Sequence, residues 1–247
     1  MKYVIFDERL PRECVNSLRK LGFNTLSLPP VSGVCSPISS HTDIVLFRYG
    51  RSIVLSHKYA EENPLTLARL RGCLTGFEFI FTDDVHGGEY PSDAIFNALV
   101  MKNRIFCKKS SISGAVISLA EKYGARIIDT KQGYPACTVL AIGQRHAITS
   151  DRGMAKKLIS EDIDVLTVPE TERILLKPYK NGFIGGCAGV FGDTVYFIGN
   201  LRAHPQSEDI QSFICDAGFR AVSLMPRAEC LFDLGGLCFC EQHTEND

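Results

Sequence analysis

The chain repeats itself, and this limits its fold more than any other feature, because a unit recurring at fixed spacing must be a supersecondary element packed on its neighbours. Residues 21–30 (Leu-Gly-Phe-Asn-Thr-Leu-Ser-Leu-Pro-Pro) and 217–226 (Ala-Gly-Phe-Arg-Ala-Val-Ser-Leu-Met-Pro) agree at Gly, Phe, Ser, Leu and the last Pro, with an offset of 196 residues, four times 49. Both read as a helix closed by glycine and followed by a strand that proline stops. Gly76-Phe77 before Glu78 to Phe81, Gly124 before Arg126 to Ile128, and Asp164 to Val168 before Pro169 are three further copies. A second landmark, a small or acidic residue opening an apolar strand, falls at Asp43, Asp93, Cys137, Cys187 and Cys238, which spreads 195 residues over four intervals. Tyr90-Pro91 and Tyr134-Pro135 lie just ahead of two of these positions and support the alignment.

Between landmarks each unit reads strand, tight turn, strand, helix, strand. Lys102-Asn103 and Asp193-Thr194 are hairpin-turn residues, Ser150-Asp151 caps a helix over 152–158, and Pro205 suits a first helical turn. Leu10, Cys14, Leu18 and Leu21 share one helix face, as do Ile210, Phe213, Ile214 and Ala217, and these faces are core. The first unit lacks its opening strand, which Leu237 to Glu241 supplies from the other end of the chain. The expectation is one α/β domain over 1–247, a ring of five ββαβ repeats closed by pairing of the N- and C-terminal strands. An eight-fold β/α barrel is the rival, but it requires single strand-helix units of about 30 residues.

Composition excludes several function classes. The 27 basic and 28 acidic side chains leave a net charge of −1 without single-sign blocks, so neither nucleic acid nor an acidic membrane surface is an expected partner. No apolar run approaches the roughly 18–20 residues of a bilayer span, and the apolar start breaks at Asp7, so no membrane segment or signal peptide is expected. Ten cysteines without a Cys-x-x-Cys pair, in a chain long enough to bury a large core, read as reduced thiols of a cytoplasmic protein.

Five such units closed by the termini resemble the pentein fold, the five-bladed α/β propeller of the guanidine-modifying superfamily. That group includes dimethylarginine dimethylaminohydrolases, arginine and agmatine deiminases and amidinotransferases, and the fold is shared by a ribosomal anti-association factor without a catalytic site. The resemblance spans the chain, whereas its motifs match thinly. The stretch Asp233-Leu234-Gly235-Gly236-Leu237-Cys238 is similar to the segment carrying the enzymes' nucleophilic cysteine, which implies that Cys238 attacks a guanidinium carbon; a buried cysteine packing as a small hydrophobe is the alternative. The segment Pro91 to Ala98 is similar to the one that places guanidinium-binding carboxylates, which implies a ligand-binding role for Asp93, but the usual second acid falls at Ala98. The acid of the third unit and the histidine of the fourth are absent from Gly133 to Thr138 and Gly182 to Cys187, and His204 reads as solvated. A cysteine hydrolase without its general acid loses about 10²–10⁴ in rate.

Equivalent landmarks would bring Asp43, Asp93, Cys137, Cys187 and Cys238 to one axial space, with His41 close by. Cys137, Cys187 and Cys238 would suit a thiophilic metal there, although crowding of strands that demands small residues is the simpler reading. Gly185-Gly186 and Gly235-Gly236 fit close backbone approach near the axis better than a phosphate loop. The sequence thus points to a divergent member that binds a small cationic ligand through Asp43 and Asp93, with Cys137, Cys187, His41 and Asn97 as further contacts and no cofactor. A Cys238-dependent hydrolase or transferase acting on a guanidino or amidine compound is the alternative, and a protein-binding module the third reading.

Overall fold

The computed structural model describes residues 1–242. Residues 243–247 lie outside the described residues. Glu241, the last residue of the expected closing strand, pairs with Lys2.

Five three-stranded sheets share one local plan: an antiparallel pair joined to a third strand parallel to the middle one. The first comprises β1 (Lys2–Asp7) and β2 (Asn24–Leu28) with the last strand of the chain; the second β3 (Phe47–Tyr49), β4 (Ser52–Ser56) and β5 (Glu78–Thr82). The third holds β6 (Leu99–Met101), β7 (Arg104–Cys107) and β8 (Arg126–Asp129), and the fourth β9 (Val139–Ile142), β10 (His146–Thr149) and β11 (Asp164–Thr167). Beyond β12 (Ile174–Leu175), the fifth holds β13 (Ala188–Phe191), β14 (Thr194–Phe197) and β15 (Arg220–Ser223). The chain then runs through β16 (Leu231–Phe232) to β17 (Cys238–Glu241), which pairs antiparallel with β1 from Lys2↔Glu241 to Ile5↔Cys238. No eight-stranded barrel sheet occurs among the described residues. The small parallel pair of β12 with β16 is a feature the repeats do not announce.

The helices are α1 (Arg12–Lys20), α2 (Thr42–Val45), α3 (His57–Glu62), α4 (Pro64–Cys73), α5 (Gly114–Lys122), α6 (Pro135–Thr138), α7 (Arg152–Ile159) and α8 (Ser207–Asp216). Asp151 caps α7, accepting from the Gly153 and Met154 amides at 2.7 and 2.9 Å, and Cys14 and Leu18 bury one face of α1. Leu21 lies past that helix and is 46% exposed. Gly22, Gly124 and Gly218 turn the chain from helix to strand with φ of +87°, +63° and +82°. The fourth unit has no glycine there, and Asp162 takes the left-handed conformation at φ +58°, one of the few side chains that tolerates it.

Period-two alternation on the strands feeds two neighbours at once. Tyr3 and Ile5 of β1 pack with Ile53 and Leu55 of β4, while Val4 and Phe6 pack with Tyr196 of β14 and Phe239 of β17. Val54 joins Ile105, Phe106 joins Ala147, and Ile148 joins Phe197. Each apolar cluster is thus shared by two consecutive sheets, and one joins the last sheet to the first. Strands β4 and β14 are buried along their whole length, as this covering of both faces requires.

Candidate functional site

Four of the five landmark residues sit on short turns that lead into strands rather than on the strands themselves. Asp43 lies in α2, Cys137 in α6, Cys187 at the end of a 3₁₀ turn (Gly185–Cys187) and Asp93 in a turn ahead of β6; Cys238 alone opens a strand. Pro135 at the first position of α6 favours the helical turn. Strand parity therefore does not set the direction of four of the five side chains.

Two of the five meet directly. The Cys137 thiol donates to Asp43 Oδ2 at 2.6 Å, and Asn97 Nδ2 approaches the same sulfur at 3.6 Å while its Oδ1 accepts from the Ala136 amide at 2.8 Å. Asp93 is buried one layer away and accepts from the Tyr134 hydroxyl at 2.7 Å. Cys187 turns to the Phe183 carbonyl at 3.0 Å. The donor atoms of His41, Cys137 and Asp233 lie within 4.8 Å of one another, the only such group of three or more His, Cys, Asp or Glu among the described residues, so Cys137, Cys187 and Cys238 do not form a ligand set.

Glycines permit this convergence. A Cβ on Gly186 would stand 1.8 Å from Asp233 Oδ1, and one on Gly235 would stand 2.3 Å from the His41 Cβ. Asp233 is held by the Phe183 amide at 2.8 Å and the Gly235 amide at 3.2 Å. His41 is fully buried with neither ring nitrogen hydrogen-bonded, its Nδ1 standing 4.0 Å from Asp233 Oδ1. Leaving such a group unpaired costs about 1–3 kcal/mol, which marks His41 as a residue placed for something other than packing.

Burial dominates the electrostatics. It lowers His41 to about 3, helped by the positive charge of Arg9, so the ring is neutral and its approach to Asp233 is no ion pair. Burial raises Asp43 to about 7 against the opposing hydrogen bond from Cys137, and raises Asp233 to about 6 against its two amide donors. The Cys137 thiol is pushed well up by burial and then by the charge of Asp43. Cys187 is raised by burial and by Asp233.

His41, Cys137 and Asp233 line a half-open cavity of about 310 Å³, together with Tyr90, Tyr134, Tyr179, Phe183, Ile38, Ile44, Leu176 and Asn181. The Tyr90 and Tyr134 rings stand 5.3 Å apart at 46°. Asp233 is its only charged lining residue. A second, more open cavity of about 360 Å³ has Asp43, Arg48 and Cys238 in its lining. There the Cys238 thiol is held below its usual range by the Cys240 thiol, which donates to it, and by Arg48, against the opposing effect of burial. Cys238 thus lies apart from the His41 cluster.

Asp233 was legible only as part of a glycine-rich segment, and Tyr90 and Tyr134 only as markers of the repeat. Tyr179 and Phe183 carried no sequence signal. His204, read as solvated, is buried, with Nδ1 accepting from the Gln206 amide at 3.1 Å, because the turn ahead of α8 folds back on itself.

The sequence matches a family described as a family of unknown function, DUF6873, over residues 5–238. No curated protein matches it. The structure is similar to dimethylarginine dimethylaminohydrolase from Pseudomonas aeruginosa in complex with citrulline, with a TM-score of 0.58 and 10% identity over 91% of this chain and 92% of that one. It is similar to an amidinotransferase of saxitoxin biosynthesis from Microseira wollei (TM-score 0.57, 13% identity, 94% and 93% coverage) and to agmatine deiminase from C. jejuni (0.54, 10%, 90% and 87%). The mixed α/β fold is the pentein fold that these structures share. No helix of the described residues is long and apolar enough to cross a membrane.

Proposed function

The chain belongs to the DUF6873 family, and from that premise we propose that it is a pentein-like protein that binds a small organic cation in the cavity beside His41 and Asp233, without the standard guanidine-hydrolase chemistry. In this reading the five sheets are blades of one five-bladed propeller spanning the chain, supported by the apolar clusters that link each sheet to the next and the last to the first. One observation carries the ligand class: a half-open, aromatic-walled cavity has a carboxylate as its only charged lining group. Aromatic faces attract a cation by about 0.5–2 kcal/mol according to how far it is desolvated, and Asp233 supplies the opposite charge. Asp43 and Asp93, expected to contact the ligand, act from behind, through Cys137 and Tyr134 respectively.

The similar structures include enzymes of arginine, agmatine and methylated arginine, so guanidino compounds are the first to test. Calorimetric titration with arginine, agmatine and citrulline is the experiment. A hydrogen bond to a charged group contributes about 1.5–3 kcal/mol, so arginine should bind about 10–150-fold more tightly than its uncharged isostere citrulline. Equal affinities, or no binding by any organic cation of this size, would overturn the reading.

The depressed thiol of Cys238 favours a second reading: thiol-dependent hydrolysis or transfer at the other cavity. Arg48 stands beside that sulfur and repels a guanidinium, so an amidine-type substrate would have to reach it as the neutral base.

A further inference from the structure

We propose that His41, Cys137 and Asp233 form a binding site for a single thiophilic divalent metal ion, zinc foremost, with the aromatic-walled cavity at its open coordination position. This goes beyond the organic-cation reading and does not depend on it.

The donor set is mixed nitrogen, sulfur and oxygen, each side chain is buried, and the three donor atoms lie within 4.8 Å of one another. Zinc sits about 2.3 Å from sulfur and about 2.0–2.1 Å from nitrogen, so closing on an ion needs inward movements of the order of an ångström. Three protein ligands with a fourth position open to a cavity is the pattern of a zinc site that also receives water or substrate.

The independent observation is His41. Both ring nitrogens are buried and without a hydrogen-bond partner, and the ring lines the cavity beside Asp233 and Cys137. Around the ligands stand the groups that orient them: amides of Phe183 and Gly235 on the carboxylate, and Asn97 and Asp43 on the sulfur. On binding, the S–H bond of Cys137 is replaced by an S–metal bond and its proton passes to Asp43 Oδ2, 2.6 Å away, so that the neutral acid donates to the bound thiolate. The thiolate and the carboxylate then balance the charge of the ion. A loaded site therefore removes the negative charge offered to an organic cation, so the two occupants compete.

The experiment uses the full chain purified without chelator, stripped, and titrated with Zn²⁺ and Co²⁺. One equivalent of either should bind, and the Co²⁺ protein should show the near-ultraviolet charge-transfer band of a cobalt–thiolate bond. Cys137→Ser should abolish that band and weaken zinc binding at least 100-fold, whereas Cys187→Ser and Cys238→Ser should retain both. Circular dichroism of the metal-free proteins checks that each variant is folded; if Cys137→Ser is not, the band in the unmodified protein and its persistence in the other two variants decide. Absence of stoichiometric binding, a bound Co²⁺ without the band, or a band lost with Cys187 or Cys238 would overturn the site. Titrating arginine against the stripped protein separates the readings, since metal binding can fail while arginine still binds, and the reverse.

Discussion

Gly185 offers a direct test of how tightly the turns that lead into the fourth and fifth sheets are fitted together. A Cβ at this position would stand 2.4 Å from the Ala136 carbonyl oxygen, 2.5 Å from that of Val139 and 2.6 Å from that of Cys137. Ordinary contact begins near 3.4 Å, so Gly185→Ala must drive the 3₁₀ turn and α6 apart by about 1 Å. All three obstacles are backbone carbonyls, which cannot rotate out of the way as the end of a side chain can. Overpacking typically costs about 1–3 kcal/mol, and a rigid obstacle on three sides puts this change near the top of the range. For a domain of this size about 3 kcal/mol lowers the melting temperature by roughly 6–12 °C. Scanning calorimetry of Gly185→Ala against Gly72→Ala is the assay. Gly72 lies inside α4 with nothing within 4 Å of its Cβ position, so alanine there should be neutral or gain up to about 1 kcal/mol of helix propensity. If the two variants melt within a degree or two of each other, the close approach of these backbones is wrong, and with it the placement of Cys137.

Two further outcomes are expected. With its thiol pKa held down by Cys240 and Arg48, Cys238 should react with iodoacetamide at neutral pH faster than the other cysteines, its rate should level off below the usual thiol range, and Arg48→Met should slow it; peptide mapping after brief substoichiometric labelling reads this, and labelling no faster than at exposed Cys215 would refute it. Burial lowers the pKa of His86, against the hydrogen bond it gives the Ile44 carbonyl and the charge of Asp93 and with the charge of Lys58, so the unfolded chain takes up a proton near pH 6.5 that the folded chain refuses. This contribution to stability is complete above that pH and is lost as pH falls below it, so melting temperatures at pH 7.5 and 5.5 should differ less in His86→Gln than in the parent, and an unchanged difference would count against it.

The parts of the fold that were legible in the sequence are those written in backbone chemistry. The last strand of each unit follows a residue that must take a left-handed conformation, and glycine, or aspartate at 162, announces it. The pairing of β17 with β1 follows from a first unit that lacks a strand. The site was less legible because its residues gain meaning from turns rather than from strand periodicity. Reading Asp43 and Cys137 as strand openers still brought them together, since equivalent positions converge whichever local conformation they take, but the same reading gave Cys187 and Cys238 a direction they do not have. His41 and Asn97 were placed by proximity to landmarks and do reach Cys137 or its neighbours. Asp233 gave no separate signal, because its role depends on Gly186 and Gly235, distant in the chain or silent as to partner, leaving room for it.

The pairing of β1 with β17 also bears on how the protein is made. Tyr3 finds Cys240 across the sheet, more than two hundred residues later in the chain, while its other neighbour Asn24 is available almost at once. A growing polypeptide can therefore zip β1 to β2 early, but must carry the far edge of β1 open until β17 has left the ribosome. That edge, with Val4 and Ile5 beside it, is for the duration of synthesis a template for the wrong strand. Contacts this distant in sequence also slow folding, because the loop they close must lose its freedom before the contact can form. Completion of the first sheet is in this sense the last event in assembling these five sheets, and the apolar surface shared by the first and last sheets is the one that a chaperone would have most reason to shield.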